Sequence, residues 1–95
     1  MRATRMLVVA AMLLVPGAAG GAEPPGAASC SGCHAASARV DTAVPRLIGR
    51  SATELAAGMQ AFKSGQKPGT VMGRIAKGYS DVEIQAIADW YATQK

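Results

Sequence analysis

Two stretches of the chain repeat their apolar positions with the period of a helix. Leu55, Met59 and Phe62 form one stripe behind Ser51-x-x-Glu54. Ile84, Ile87, Ala88 and Tyr91 form another behind Ser80-x-x-Glu83, and Trp90 widens it. Both openings have the form of a capping box, in which a serine hydroxyl and a glutamate carboxylate each satisfy one of the backbone N–H groups that a helix start leaves unpaired. The pattern predicts one helix from Ser51 to about Ser64, with Gly65 as its stop and Pro68 preventing continuation, and a final helix ending near Thr93. Between them, residues 65–79 are rich in glycine and lysine around the apolar pair Val71-Met72, and a short helical turn starting at Thr70 fits there. Residues 39–50 hold no sustained period, and Pro45 breaks any helix through them, so they predict a loop. Residues 27–38 are small and helix-tolerant and predict a short helix. No strand-like alternation or internal repeat follows residue 22, so the fold class expected is all-α.

The front of the chain has a different pattern. Arg2 and Arg5 precede an unbroken apolar run from Met6 to Val15, and residues 16–22 supply a proline and then small residues. This is the layout of a secretory signal peptide with cleavage after Ala22. The run is about half of the roughly 20 residues that a spanning helix needs, which argues against a permanent membrane anchor. The expected organisation is therefore a leader at 1–22 and one domain at 23–95, delivered across the cytoplasmic membrane to the periplasm.

Removing the leader changes the composition. The full chain is 49% hydrophobic with only 4% aromatic residues, and its formal charge is +4. Of its 10 Lys and Arg, Arg2 and Arg5 leave with the leader, so 8 face 6 Asp and Glu, a formal +2. No run of Lys or Arg marks a nucleic-acid surface. A domain of this size and aromatic content is near the lower limit for a self-sufficient core.

The chemistry is concentrated in Cys30-Ser31-Gly32-Cys33-His34, which contains both cysteines and the only histidine of the chain. This is the attachment pattern for c-type haem: each thiol adds across a porphyrin vinyl group, and the adjacent imidazole binds the iron. Zinc needs four ligands, and no other cysteine or histidine exists to complete a set. A dithiol redox pair fits the spacing but lacks the strand-helix-strand setting, and a disulfide would close too short a loop to restrict the unfolded chain much. Haem also makes good the small core, since burying several hundred Å² of apolar macrocycle is worth on the order of 10 kcal/mol. The haem-free chain is expected to be largely unfolded. Two ionised propionates would bring the charge close to neutral.

An axial histidine needs its second ring nitrogen held by an acceptor, and a backbone carbonyl from the 39–50 loop can supply one. Pro45 is the candidate, with Leu47 packing on the haem edge; a plain turn role for Pro45 is the alternative. Arg50 is a candidate propionate partner or a solvated surface residue. With Met1, Met6 and Met12 in the leader, Met59 and Met72 are the thioethers left for the opposite face. Met59 belongs to an apolar stripe and reads as core, whereas Met72 lies between glycines, far from His34, as a strap across the haem would. A soft sulfur favours ferrous iron and raises the potential.

These residues resemble a known family. The Cys30 to His34 motif near the start of the domain, Pro45-Arg46-Leu47-Ile48-Gly49 after a loop, Met72, and a last helix with Ala88-Asp89-Trp90-Tyr91 together look like a class I c-type cytochrome. The resemblance implies a small all-α fold, with an interlocked pair of N- and C-terminal helices and other helices packed around one covalently bound haem under His34 and Met72. The stretch from Phe62 to Asp81 looks more narrowly like the methionine region of the haem subunit of flavocytochrome c sulfide dehydrogenase. In that family a separate FAD-bearing flavoprotein subunit oxidises sulfide and passes electrons to the haem. Ala35 after His34 and the short segment before Cys30 depart from that family, as does a single haem motif where some members carry two.

The implied function is a periplasmic electron-transfer haem protein for sulfide oxidation, with a flavoprotein donor and a downstream electron acceptor. It has no bond-changing activity of its own. A free monohaem shuttle and a ligand-binding or catalytic haem with an open sixth position are the rival readings. Lys63, Lys67, Arg74 and Lys77 around Met72 either guide docking or form a solvated face.

Overall fold

The computed structural model describes residues 22–95, so the leader read at residues 1–22 lies, apart from its last residue, outside the described residues. The described chain forms four helices: α1 (Ala27–Cys30), α2 (Ala52–Ser64), α3 (Met72–Lys77) and α4 (Asp81–Thr93). α2 packs against α3 and α4, and α1 packs against α4. Among the described residues there is no strand, in agreement with the all-α expectation.

The two long helices begin and end where their local chemistry dictates. Ser51 caps α2 by accepting a hydrogen bond from the Glu54 N–H, and Gly65 closes it in the left-handed conformation at φ 83°, donating its N–H to Phe62 O. α4 opens on a complete capping box: the Glu83 N–H donates to Ser80 Oγ, and the Ser80 N–H donates to Glu83 Oε1 at 2.9 Å. At α2 the box is only half formed. The Glu54 carboxylate accepts instead from Arg50 Nη1 at 3.3 Å, so the neighbouring guanidinium takes the group that the reciprocal bond needs.

Two local expectations need correction. α1 ends at Cys30, and Ser31 to Cys33 continue as turns, so the attachment motif straddles a helix end instead of lying within a helix. The short helix of the 65–79 segment starts at Met72, two residues later than Thr70. Met72 is therefore its first residue.

α4 buries Ile84, Ile87, Ala88 and Tyr91, the stripe read from the sequence. Ile87 and Tyr91 join Ala27 of α1 in the core, with Leu47, Leu55 and Trp90 packed around them. The two ends of the described chain are joined by Tyr91, whose hydroxyl donates to Ala27 O at 2.6 Å and stands 2.9 Å from Ser31 Oγ. At the N-cap of α1, Gly26 has φ 89°, and a Cβ there would come within 2.7 Å of the Tyr79 ring, so only glycine suits the position. Lys63 ties α2 to the start of α4, donating to Tyr79 O at 2.8 Å and to Asp81 Oδ1 at 3.2 Å. No described helix is long and apolar enough to cross a membrane.

Candidate functional site

α2 has no fully buried residue, although its apolar stripe is as regular as that of α4. This stripe faces a cavity of about 490 Å³. Leu55, Gly58, Met59 and Phe62 form one wall, while Ile84, Ile87, Ala88 and Tyr91 of α4 form part of the opposing lining. The volume lies in the range of small-molecule and cofactor pockets.

The cavity gathers residues from distant parts of the chain. Cys30, His34, Pro45, Leu47 and Met72 all line it. Cys33 does not; it sits exposed on the turn after α1. The two cysteines are not joined to each other. The half-buried Cys30 thiol stands 3.7 Å from Gly26 O, and burial pushes its pKa up.

His34 is held from the loop. Its Nδ1 lies 2.6 Å from Pro45 O, and because a carbonyl can only accept, Nδ1 carries a proton, which in the neutral ring leaves Nε2 as the atom with the lone pair. The loop approaches the imidazole over eleven residues of sequence separation, and Leu47, two residues further on, packs into both the cavity lining and the core. Met72 reaches the same cavity from the start of α3.

Charge is confined to a few lining residues. Arg50 and Glu54 form an exposed i,i+4 pair at the lining, of the kind that contributes at most about 1 kcal/mol in solvent. Lys67 also lines the cavity and holds its ammonium 4.9 Å from the centroid of the Phe62 ring. Of the four cations around Met72, Lys63 is occupied with Tyr79 and Asp81, while Arg74 and Lys77 are exposed.

The residues fit a c-type haem on three counts. The walls are largely aliphatic and aromatic, an imidazole with a free Nε2 and a thioether line one cavity, and a thiol stands on the same lining. A nitrogen and a soft sulfur donor suit iron better than magnesium or calcium. Sequence reasoning missed the contribution of Ala43, Val44 and Gly58 to the lining, since none carries a reactive group. It also missed the Tyr91 hydroxyl, read only as part of an apolar stripe.

No protein-family model matches the chain. Among curated proteins, it is 38% identical over 63 residues to the cytochrome subunit of sulfide dehydrogenase of Chlorobaculum tepidum, covering 66% of this chain and 57% of the relative. It is 35% identical to the thiosulfate dehydrogenase electron acceptor of Thiomonas intermedia, over 96% of this chain but 44% of the relative. It is 34% identical to cytochrome c-554(548) of Halomonas halodenitrificans, over 70% of this chain and 86% of the relative. The chain thus spans less than two thirds of the first two relatives and most of the third.

Proposed function

Because the chain belongs to the c-type cytochromes, we propose that it is a periplasmic monohaem electron carrier, exported by its first 22 residues, which accepts electrons from a sulfide-oxidising flavoprotein. Cys30, Cys33, His34 and Met72 would hold one haem c in the cavity, the two thiols by covalent attachment and His34 Nε2 and the Met72 sulfur as donors to its iron. Bound there, it supplies a one-electron iron couple.

The protein's residues do the rest. Pro45 O fixes the His34 tautomer and ring orientation, and a histidine whose other nitrogen is committed in this way is a better-oriented and more basic ligand. Met72 would supply a second donor, which would suit electron transfer better than binding of an outside ligand. Leu47, Leu55, Met59 and Phe62 exclude water and so raise the cost of net charge at the iron. Arg50, paired with Glu54 on the lining, would be the cation to meet a propionate. Lys67, Arg74 and Lys77 steer an acidic partner toward the Met72 edge, while Lys63 is occupied internally.

The observation that carries this reading is that His34 and Met72 line one apolar cavity, with His34 Nδ1 already committed to a carbonyl. Sulfide dehydrogenase and thiosulfate dehydrogenase in the relatives' names support a sulfur-oxidising donor. Cytochrome c-554(548), whose name mentions no dehydrogenase, is consistent with a free carrier as the second reading. The test is to mix the haem-loaded protein with a sulfide-oxidising flavoprotein, add sulfide, and follow haem reduction. We expect reduction to become far faster than with sulfide alone and to slow as salt rises. Equal rates with and without the flavoprotein would leave the free carrier.

A further inference from the structure

We propose that Phe62 and Gly69 form a clamp that sets where the Met72 thioether stands, so that ligation by Met72 depends on the end of α2 as well as on α3. The proposal rests on the His34/Met72 reading above and adds positioning residues to it.

The end of α2 holds the segment leading to Met72 at three points. The Gly65 N–H donates to Phe62 O at 3.3 Å, and the Lys67 N–H donates to Ala61 O at 3.1 Å, folding the chain back on the last turn of the helix. The third point is side-chain contact. A Cβ built on Gly69 would lie 2.7 Å from Phe62 Cε1 and 2.9 Å from Cδ1, so the backbone at 69 lies directly against the ring. The same Cβ would be 3.6 Å from Met72 Cβ, which puts Phe62, Gly69 and Met72 in a single contact group. The Gly73 N–H then donates to Gly69 O at 3.0 Å, coupling the clamped residue to the first turn of α3.

Gly69 is not among the glycines with positive φ, namely Gly26, Gly49 and Gly65. Its backbone conformation is open to any residue, and what its lack of a side chain provides is space against Phe62. Gly73, on the other side of Met72, supplies the contrast. A Cβ there would meet only Phe62 O, at 4.0 Å, an ordinary contact. Two glycines flank the methionine, but only one has no room for a methyl group. Phe62 is itself held in place, because Lys67 sits over its ring and the ring lines the cavity beside Met72.

The clamp predicts different outcomes for two similar substitutions. Gly69→Ala pushes the 69–72 turn off the ring and loosens Met72, whereas Gly73→Ala leaves it in place. The readout is titration of the ferric, haem-loaded protein with imidazole, which competes with a thioether, together with the ferric sulfur-to-iron charge-transfer band. A looser Met72 raises the population open to imidazole and tightens its apparent binding in proportion. We expect Gly69→Ala to bind imidazole about tenfold tighter with a weakened band, and Gly73→Ala to stay within about twofold of the parent. Adding Phe62→Leu to Gly69→Ala removes the ring edge that the methyl strikes and should recover part of the loss, which marks direct coupling of the pair. If Gly69→Ala yields too little haem-loaded protein, Phe62→Leu alone is read the same way and should tighten imidazole about threefold.

Equal behaviour of the two alanine variants, or no recovery in the double variant, would overturn the clamp. Met72→Ala separates the two levels: if it leaves the band and the imidazole affinity as in the parent, the Met72 ligand assignment fails, and the clamp with it. If Met72→Ala abolishes the band while Gly69→Ala and Phe62→Leu change nothing, the ligand stands and the clamp alone is wrong.

Discussion

α2 and α4 are built alike and buried differently. Each is 13 residues long, begins after a serine with a glutamate three positions on, and carries one apolar stripe. α4 buries four residues of its stripe, while α2 buries none. The difference lies in what covers each face. Both stripes line the cavity, but that of α4 is also covered by α1 and by Leu47 of the loop, whereas that of α2 stays half-buried along the cavity wall. An amphipathic pattern thus specifies that a face needs an apolar cover, without saying whether protein or cofactor supplies it.

Removing the cofactor tests this contrast most severely. A chain with Cys30→Ala and Cys33→Ala, which cannot attach haem, should lose most of its helical circular dichroism. What protection remains against hydrogen exchange should lie in α4 before α2. Protection of α2 equal to that of α4 would show that its stripe is packed on protein after all.

A smaller effect is expected from trimming each stripe in the loaded protein. Ile84→Ala removes a side chain that is 1% exposed and should cost about 2–5 kcal/mol in denaturant melts. Leu55→Ala, at a half-buried position, should cost about 1–2 kcal/mol and also shift the haem absorption. Equal costs without a spectral shift would put protein, not haem, over α2.

The smallest effect concerns acid. Asp81 lies below the ordinary carboxylate range because of its hydrogen bond from Gln60 and then its bond and charge from Lys63. Glu83 lies below it because the Ser80 backbone N–H and then the Ser80 hydroxyl bond to it. A carboxyl depressed on folding adds stability that is fully present above its unfolded pKa, roughly 4 to 4.5, and is lost as pH falls through the lower folded value. Melting temperature should therefore drop on acidification below about pH 4.5, and Asp81→Asn with Glu83→Gln should flatten that slope. An unchanged slope would remove the α4 start as the acid-sensitive end.

The parts of this fold legible in the sequence are those governed by neighbours in the chain. Helix limits at Ser51, Gly65 and Ser80 follow from capping and stop residues, and the stripe of α4 from its period. Pro45 could be nominated as a partner of His34 because an axial histidine needs an acceptor for its second nitrogen and a carbonyl of the 39–50 loop can supply one. Of the six nominated site residues, Cys33 alone lies off the cavity. What escaped reading depends on residues distant in sequence or on competition for a partner. Arg50 takes the carboxylate that would complete the Glu54 box, Lys63 turns inward to Tyr79 and Asp81, and Phe62 meets Gly69 across a turn. Local patterns cannot rank such competitors, because each outcome depends on packing.

The Tyr91 hydroxyl joins residues 64 positions apart when it bonds to Ala27 O. It therefore ties together the two ends of the described chain. Closing so long a loop is also entropically slow compared with forming any one helix. The contact therefore belongs to a late stage of folding, after the individual helices, and Cys33, exposed on its turn, stays accessible both before and after it forms.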